Sequence, residues 1–336
     1  MMVFLGDARN ASVFAAIESF VVCAAALFFL LRSGLAARAL DQPNARSLHT
    51  QPIPRVGGLG ILLAVLVSAA TLGDFGVRCL LLLPLLAVSL VDDLRGLGIA
   101  PRIATHLAAA AGAMLAVGVP PWLSLGGFLG GVVLIVWGTN LYNFMDGSDG
   151  LAGGMTVFGF SFLGLAALRG GDSGLAAWCF SFAAAALAFL RFNYSPARIF
   201  MGDSGSAPIG YAAASCAIEG CAKGLWPWWY PLFVFSPFVL DATVTLLRRM
   251  LRGERFWQAH REHYYQRLTR LGWGHRRTAT AYYSLMLAAG LAAWLALGQS
   301  ASEPWFVGGI VAVVAASLMI AVDRAWLAKR NSGHDV

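Results

Sequence analysis

The stretch NLYNFMDGSDG (140–150) spaces two amides and two carboxylates three residues apart, between two long apolar runs. Each of these side chains is costly in hydrocarbon, so their presence asks what they hold. On a helix, Asn140, Asn143 and Asp146 fall on neighbouring faces, and Asp149 joins them if the helix runs on to the glycines. Gly147 and Gly150 let the backbone turn or approach a ligand closely. Asp149 also reads as the N-cap of the next helix, and the two readings are compatible. Capping leaves the two asparagines unexplained.

Three further stretches carry chemistry. Asp92 and Asp93 are adjacent, so on a helix they diverge by about 100 degrees; unless they end a helix in solvent, one of them faces a cation or a proton acceptor. In FMGDSGS (200–206), Asp203 follows Gly202 among small residues. Such a loop exposes backbone N–H groups and leaves room for magnesium carrying phosphate, since that ion takes only one or two protein carboxylates. The loop lacks GK[ST], which excludes P-loop hydrolysis. His260 and His263 share a helical face within a basic loop containing Arg255, Arg261 and Arg267. No third or fourth Cys or His stands at zinc spacing, so the arginines point to an anion or to acidic lipid. His106, inside an apolar run, reads as a hydrogen-bonded core residue.

The elements that must position these residues follow from composition. The chain has 336 residues, 58% of them hydrophobic and only 12% charged, which excludes a soluble globular domain and indicates a polytopic, all-α membrane protein. Eleven apolar segments have spanning length: 12–31, 56–72, 77–91, 102–118, 124–141, 150–168, 174–192, 206–221, 227–246, 279–298 and 304–323. The first lacks a cleavage site and reads as a retained helix. An odd number of spans puts the termini on opposite sides. With the N-terminus periplasmic and the C-terminus cytoplasmic, twenty basic residues lie inside and four (Arg9, Arg78, Arg169, Lys223) outside. The net charge of +7 then needs no nucleic acid, because it faces the cytoplasm. The five cysteines have no CxxC pair and read as small hydrophobes. Gly126, Gly127, Gly130 and Gly131 predict close helix packing in the fifth span, and Trp122, Trp226, Trp228 and Trp229 an outer aromatic belt.

On this topology the whole chain is a single domain, and the inner loops 32–56, 92–101, 140–150, 192–206 and 247–278 converge on one membrane face. The outer loops contain only Asp7, Asp74, Asp172 and Glu303 as clear carboxylates. This asymmetry favours an enzyme over a transporter of a glycan precursor or anion, which should carry ionisable groups at the bilayer midplane. Glu18, Glu219 and Asp241 are the candidates for such groups, and each can sit near a helix end.

DQPNARSLHTQPIPRVGG (41–58), VDDLRG (91–96), NLYNFMDGSDGLAGG (140–154), RIFMGDSGS (198–206) and the HREH loop (260–263), in this order, resemble the polyprenyl-phosphate N-acetylhexosamine 1-phosphate transferases, in a form closer to the members that start O-antigen or other surface-glycan synthesis. The resemblance implies that a UDP-N-acetylhexosamine and undecaprenyl phosphate react at the bacterial inner membrane to give a polyprenyl diphosphate sugar and UMP, with Mg2+ or Mn2+. It implies metal ligation by Asp203 and Asp149, and catalytic roles for Asp92, Asp93, Asp203, His260 and His263. Substrate binding would fall to Arg46, His49, Arg55, Asn140, Asn143, Asp146, Asp149, Gly202 and Arg261. Membrane lipid is the other implied partner, and a homodimer is left open. The chain departs from the family where members often show His-x-His-His; here the run is His260, Arg261, Glu262, His263. Direct attack by the lipid phosphate is favoured over a covalent aspartyl intermediate, because no carboxylate has a dedicated activating partner in sequence.

Overall fold

The computed structural model describes residues 8–34, 36, 39–43, 51–118, 125–255, 260–298 and 303–332. The Leu-, Ala- and Val-rich runs form helices α1 (Ala8–Arg32), α2 (Gly57–Thr71), α3 (Val77–Arg95), α4 (Ile99–Val117), α5 (Leu125–Met145), α6 (Leu151–Arg169) and α7 (Ser173–Asn193). They continue as α8 (Asp203–Ala222), α9 (Trp229–Val234), α10 (Ser236–Leu251), α11 (Tyr264–Leu268), α12 (Gly274–Ala296) and α13 (Glu303–Asn331), with a π-helical turn at Thr269–Trp273. The all-α expectation has one small exception. Between α1 and α2, β1 (Leu40–Asp41) pairs antiparallel with β2 (Ile53–Pro54), with Leu40 opposite Pro54.

Helix forms in every expected span, but seven helical stretches among the described residues are long and apolar enough to cross a membrane: α1, α4, α5, α6, α7, the α11–α12 stretch, which is kinked at Gly272 (φ +102°), and α13. The other four have local reasons to fall short. Helix α2 has 15 residues; α3 ends in Asp92, Asp93 and Arg95; α8 opens on DSGS and contains Glu219. The segment 227–246 breaks into α9 and α10, with a proline in the first turn of α10, where its missing N–H and fixed φ start a helix but cannot continue one.

Position in the bundle explains the difference in apolar character. Helix α8 packs against α2, α3, α4, α5 and α6, so its surface meets protein and small residues suit it. Helix α13 is peripheral and exposes Trp305, Phe306, Ile310, Val313, Val314 and Leu318. The most buried helices are α6, α7 and α8, with Phe160 stacked on Phe182 at 4.6 Å in the core. All five cysteines are free and four are buried, as expected of small hydrophobes.

Two packing expectations need correction. In α5, Gly131 lies against Met114 but Gly130 meets nothing within 4 Å; the close approach comes instead at Gly138, opposite Ala214 of α8. Trp226 is not part of a belt: it is buried and donates its indole N–H to the Ala217 carbonyl at 3.1 Å. Trp228 is exposed, and Trp122 lies outside the described residues.

The contact that sets the site's geometry is between α2 and α8. A Cβ on Gly58 would stand 2.2 Å from the Cα of Gly205 and 2.3 Å from its nitrogen. Both are backbone atoms, which cannot rotate away. Gly58→Ala is therefore expected to destabilise the protein by at least about 1–3 kcal/mol, the usual range for overpacking. Gly130→Ala should leave stability unchanged, and thermal unfolding of the two purified variants in detergent checks both.

Candidate active site

The loops at one end of the bundle assemble on one another. The Phe200 N–H donates to the Pro54 carbonyl at 2.7 Å, and the N–H groups of Gly57 and Gly58 donate to the carbonyls of Phe200 and Met201 at 2.8 Å each. The loop between α1 and α2 is thus stitched to the FMGD segment. Gly202 sits at φ +75°, and a Cβ there would meet the Arg55 carbonyl oxygen at 2.5 Å and Asp93 Oδ2 at 2.8 Å; only glycine fits the turn.

Asp93 organises this junction. Its Oδ1 accepts the Asp203 N–H at 3.1 Å and its Oδ2 the Ser204 N–H at 2.8 Å, so it satisfies the open N–H groups that begin α8. Arg55 donates to the Asp93 carbonyl at 2.7 Å and lies 3.9 Å from its carboxylate. Asp93, expected to act on substrate, has both oxygens committed to building α8. Arg46 and His49 lie outside the described residues.

Asp92 faces the other way, as adjacent helical residues must. Its Oδ1 accepts the Leu97 N–H at 2.6 Å, and its Oδ2 pairs with Arg102 at 2.8 Å. The same guanidinium reaches Asp203 at 3.0 Å, so Arg102 bridges the DD motif and the FMGD motif. Asp146 stands at the end of α5 beside Asp203 and Asp93. Burial first, and then these two carboxylates, push it well above the ordinary carboxylate range. Among the described residues Asp146 has no ion-pair partner. Nearby, the Asn143 side-chain amide nitrogen is buried without a hydrogen-bond acceptor. Asn140 turns inward: it donates to the Val136 carbonyl at 2.7 Å and lies 3.5 Å from Nδ1 of the buried His106.

Asp149 holds a different junction from the one expected. Its Oδ2 accepts the Ala197 N–H at 3.1 Å, and its Oδ1 lies 3.7 Å from His275 Nδ1. That ring nitrogen also contacts the Ser148 hydroxyl at 2.9 Å. Next to it, Asn193 accepts the Gly150 N–H at 2.8 Å and donates to the Ile199 carbonyl at 2.8 Å. Asp149 and Asn193 therefore lock the DGSDG turn against the 194–199 loop.

The histidine loop docks on the same turn. The Tyr265 hydroxyl donates to the Phe144 carbonyl at 3.0 Å, and its oxygen would stand 2.2 Å from a Cβ on Gly147. His263 stacks on Phe144 at 6.3 Å, and the His260 and His263 rings are 4.8 Å apart. Glu262, one of the departures from the family pattern, is clamped by Arg249 and Arg252. Arg261 is half-buried in the same turn. Arg267, expected to meet an anionic ligand, is nearly buried and pairs with Asp323 of α13 at 2.8 Å.

Among the described residues no three His, Cys, Asp or Glu side chains are placed to hold an ion by themselves. The donor set is instead two neighbouring carboxylates, Asp146 and Asp203, with one orphaned amide beside them. That chemistry suits a hard cation whose remaining ligands come from phosphate or water, and it does not suit zinc. Sequence reasoning missed Arg102, Asn193 and His275. Arg102 lies across a helix break from Asp92, and His275 is distant from Asp149 in sequence, so no local spacing marks them.

The family model for glycosyl transferase family 4 matches residues 76–221. The chain is 32% identical over 300 residues to a phospho-N-acetylmuramoyl-pentapeptide-transferase of Symbiobacterium thermophilum, covering 80% of this chain and 88% of that protein. It is 29% identical over 263 residues to a probable undecaprenyl-phosphate N-acetylglucosaminyl 1-phosphate transferase of Bacillus subtilis, covering 73% and 74% of the two chains. With the undecaprenyl-phosphate alpha-N-acetylglucosaminyl 1-phosphate transferase of Escherichia coli K12, identity is 27% over 334 residues, covering 90% and 89%.

His260 is pushed down to about 4, first by burial and then by the facing His263 and Arg249. The unfolded value is about 6.5, so the folded chain binds fewer protons between the two. Stability from this group is full above about pH 6.5 and falls as pH drops towards 4. NMR of histidine-labelled protein at pH 5.5 should find His260 neutral; a protonated ring at that pH would contradict the burial described.

Proposed function

This chain belongs to the polyprenyl-phosphate N-acetylhexosamine 1-phosphate transferases of glycosyl transferase family 4, and from that premise we propose that it transfers an N-acetylhexosamine 1-phosphate from a UDP-sugar to undecaprenyl phosphate. The reaction releases UMP and starts an O-antigen or another surface glycan, at the inner face of the bacterial cytoplasmic membrane. The observation that carries this reading is the meeting of Asp92, Asp146 and Asp203 with Arg102 at one end of an apolar bundle, where Asp146 has no ion-pair partner among the described residues. The excess of basic residues on the loops at this end supports the cytoplasmic assignment.

Location restricts the chemistry. A lipid phosphate stays at headgroup level and a nucleotide sugar stays in water, so only the rim of the bundle meets both. All reacting groups are anionic and repel one another. Asp146 and Asp203 would hold a magnesium ion there, with Asn143 beside them. The metal, when bound, would neutralise the donor diphosphate and help align an in-line displacement. Arg102 presents a fork of donors suited to phosphate oxygens, and the His260–His263 loop closes the site from the far side. The uncharged His260 is able to accept or donate a hydrogen bond to sugar or phosphate.

The acceptor needs no strong base. A phosphate monoester has a second pKa of about 6, so at neutral pH it is largely dianionic and already nucleophilic. Asp92 supports the same view: its oxygens accept from Leu97 and pair with Arg102, which leaves it neither a free base nor a free nucleophile. Direct attack on the sugar-bearing phosphorus follows, with catalysis mostly by charge neutralisation and positioning.

Purified protein incubated with undecaprenyl phosphate and a panel of UDP-N-acetylhexosamines should release UMP, stop on addition of EDTA and resume with Mg2+. Asp203→Asn and Asp146→Asn should each lower that rate by about 100-fold or more, with unfolding temperature retained. Near-normal turnover in either variant removes that residue from the reaction. Release of inorganic phosphate in place of UMP would identify a phosphatase.

A further inference from the structure

Three acidic side chains lie within apolar helices away from the carboxylate cluster. Glu18 accepts from the Thr71 hydroxyl at 2.6 Å. Glu219 pairs with Arg78 at 2.5 Å and Lys223 at 2.7 Å. Each of these is answered by neighbouring helices at the opposite end of the bundle from the active site, and neither needs a ligand to explain it.

Asp241 is different. It sits in the second turn of α10 and is 1% exposed, yet apart from Thr245 of its own helix its partners belong to the histidine loop and α12. Oδ1 accepts the Tyr264 N–H at 2.8 Å and the Thr245 hydroxyl at 3.4 Å. Oδ2 accepts the Tyr265 N–H at 3.0 Å and the Tyr282 hydroxyl at 2.5 Å. His263 Nδ1 also lies 3.4 Å from Oδ1, without a hydrogen bond between them, in a ring that is 3% exposed. A carboxylate is costly to bury and would not survive there as packing alone. Its cost is offset only because several donors converge on it, and two of these, the Tyr264 and Tyr265 N–H groups, belong to the histidine segment.

We infer that Asp241 is a positioning residue for the transfer reaction: it fixes the backbone that carries the histidines and, by facing His263 Nδ1 with an acceptor-only group, sets which ring nitrogen bears the hydrogen. Two features of the geometry carry this. First, a carboxylate is acceptor-only, so a ring nitrogen facing it is the one that bears hydrogen, and the partner of one nitrogen sets the tautomer of the other. Second, His263 is wedged between Phe144 at 6.3 Å, Tyr265 at 5.8 Å and His260 at 4.8 Å. Any rotation of its ring is therefore transmitted to His260 and to the α5 end that carries Asp146. A buried charge inside the bundle thereby sets the register of the loop that closes the active site.

This inference rests on the transferase reading for its kinetic part only. The first test is the wild-type protein: 15N NMR of labelled histidines, with His263→Gln used to assign its signal, should find His263 protonated at Nδ1. A ring protonated at Nε2 alone overturns the proposal even if no variant folds. In Asp241→Asn, an amide replaces one acceptor oxygen with a donor. The Nδ1 preference should be lost, and kcat for UMP release should fall on the order of tenfold or more, with the KM for the UDP-sugar changed less than about threefold. Tyr282→Phe removes one partner on the Oδ2 side and should keep the His263 tautomer. Asp241→Asn with an unchanged tautomer, or with a changed tautomer and unchanged kcat, overturns the positioning role. A wild-type protein that turns over no UDP-sugar would defeat the transferase reading, and the tautomer measurements would still decide whether Asp241 orients the ring.

Discussion

Four carboxylates crowd one end of an otherwise apolar bundle, and their repulsion is the condition that the surrounding structure has to meet. Asp93 is answered by the first N–H groups of α8, and Asp92 and Asp203 by one shared guanidinium, Arg102. Asp146 is the charge left over, with burial and its neighbours working against ionisation. A site arranged in this way is incomplete electrostatically. Under the proposed reading a divalent cation and its phosphate ligands complete it, and the electrostatic imbalance becomes affinity for that pair.

Close backbone approach is the second requirement, because the carboxylates come from separate helices. The Gly58–Gly205 contact lets α2 and α8 touch, which places the FMGD turn beside the first loop. Gly202 then turns under the Arg55 carbonyl and the Asp93 carboxylate. Larger residues at these points would separate Asp203 from Asp92, and Arg102 would no longer reach both.

The basic loop shows how much of a charged sequence serves internal architecture. Arg249 and Arg252 hold Glu262, and Arg248 and Arg267 meet Asp323 of the lipid-facing α13. These pairs, with Asp241 beneath, fasten the histidines over the α5 turn. Four arginines of this loop are thus paired inside the protein, and the arginine that bridges the carboxylates lies in α4, outside that loop.

Local pattern was enough to read the helical membrane architecture, the family and the motifs that meet at the site, because hydrophobic run length and motif order are properties of the chain itself. It also gave His106 its interior role, from a lone polar residue in an apolar run. Which carboxylate does what was not legible. Asp92 and Asp93 look alike in sequence, yet one caps α8 and the other pairs with Arg102, since a turn of about 100 degrees between neighbours sends them to different helices. Asp146 and Asp149 likewise separate into an unpaired carboxylate and a loop anchor, the latter through His275, which lies far away in the chain. The buried Trp226 and the role of Asp241 depend on what packs alongside. Side-chain roles here are set by contacts between helices distant in sequence, and those contacts exist only once the bundle has folded.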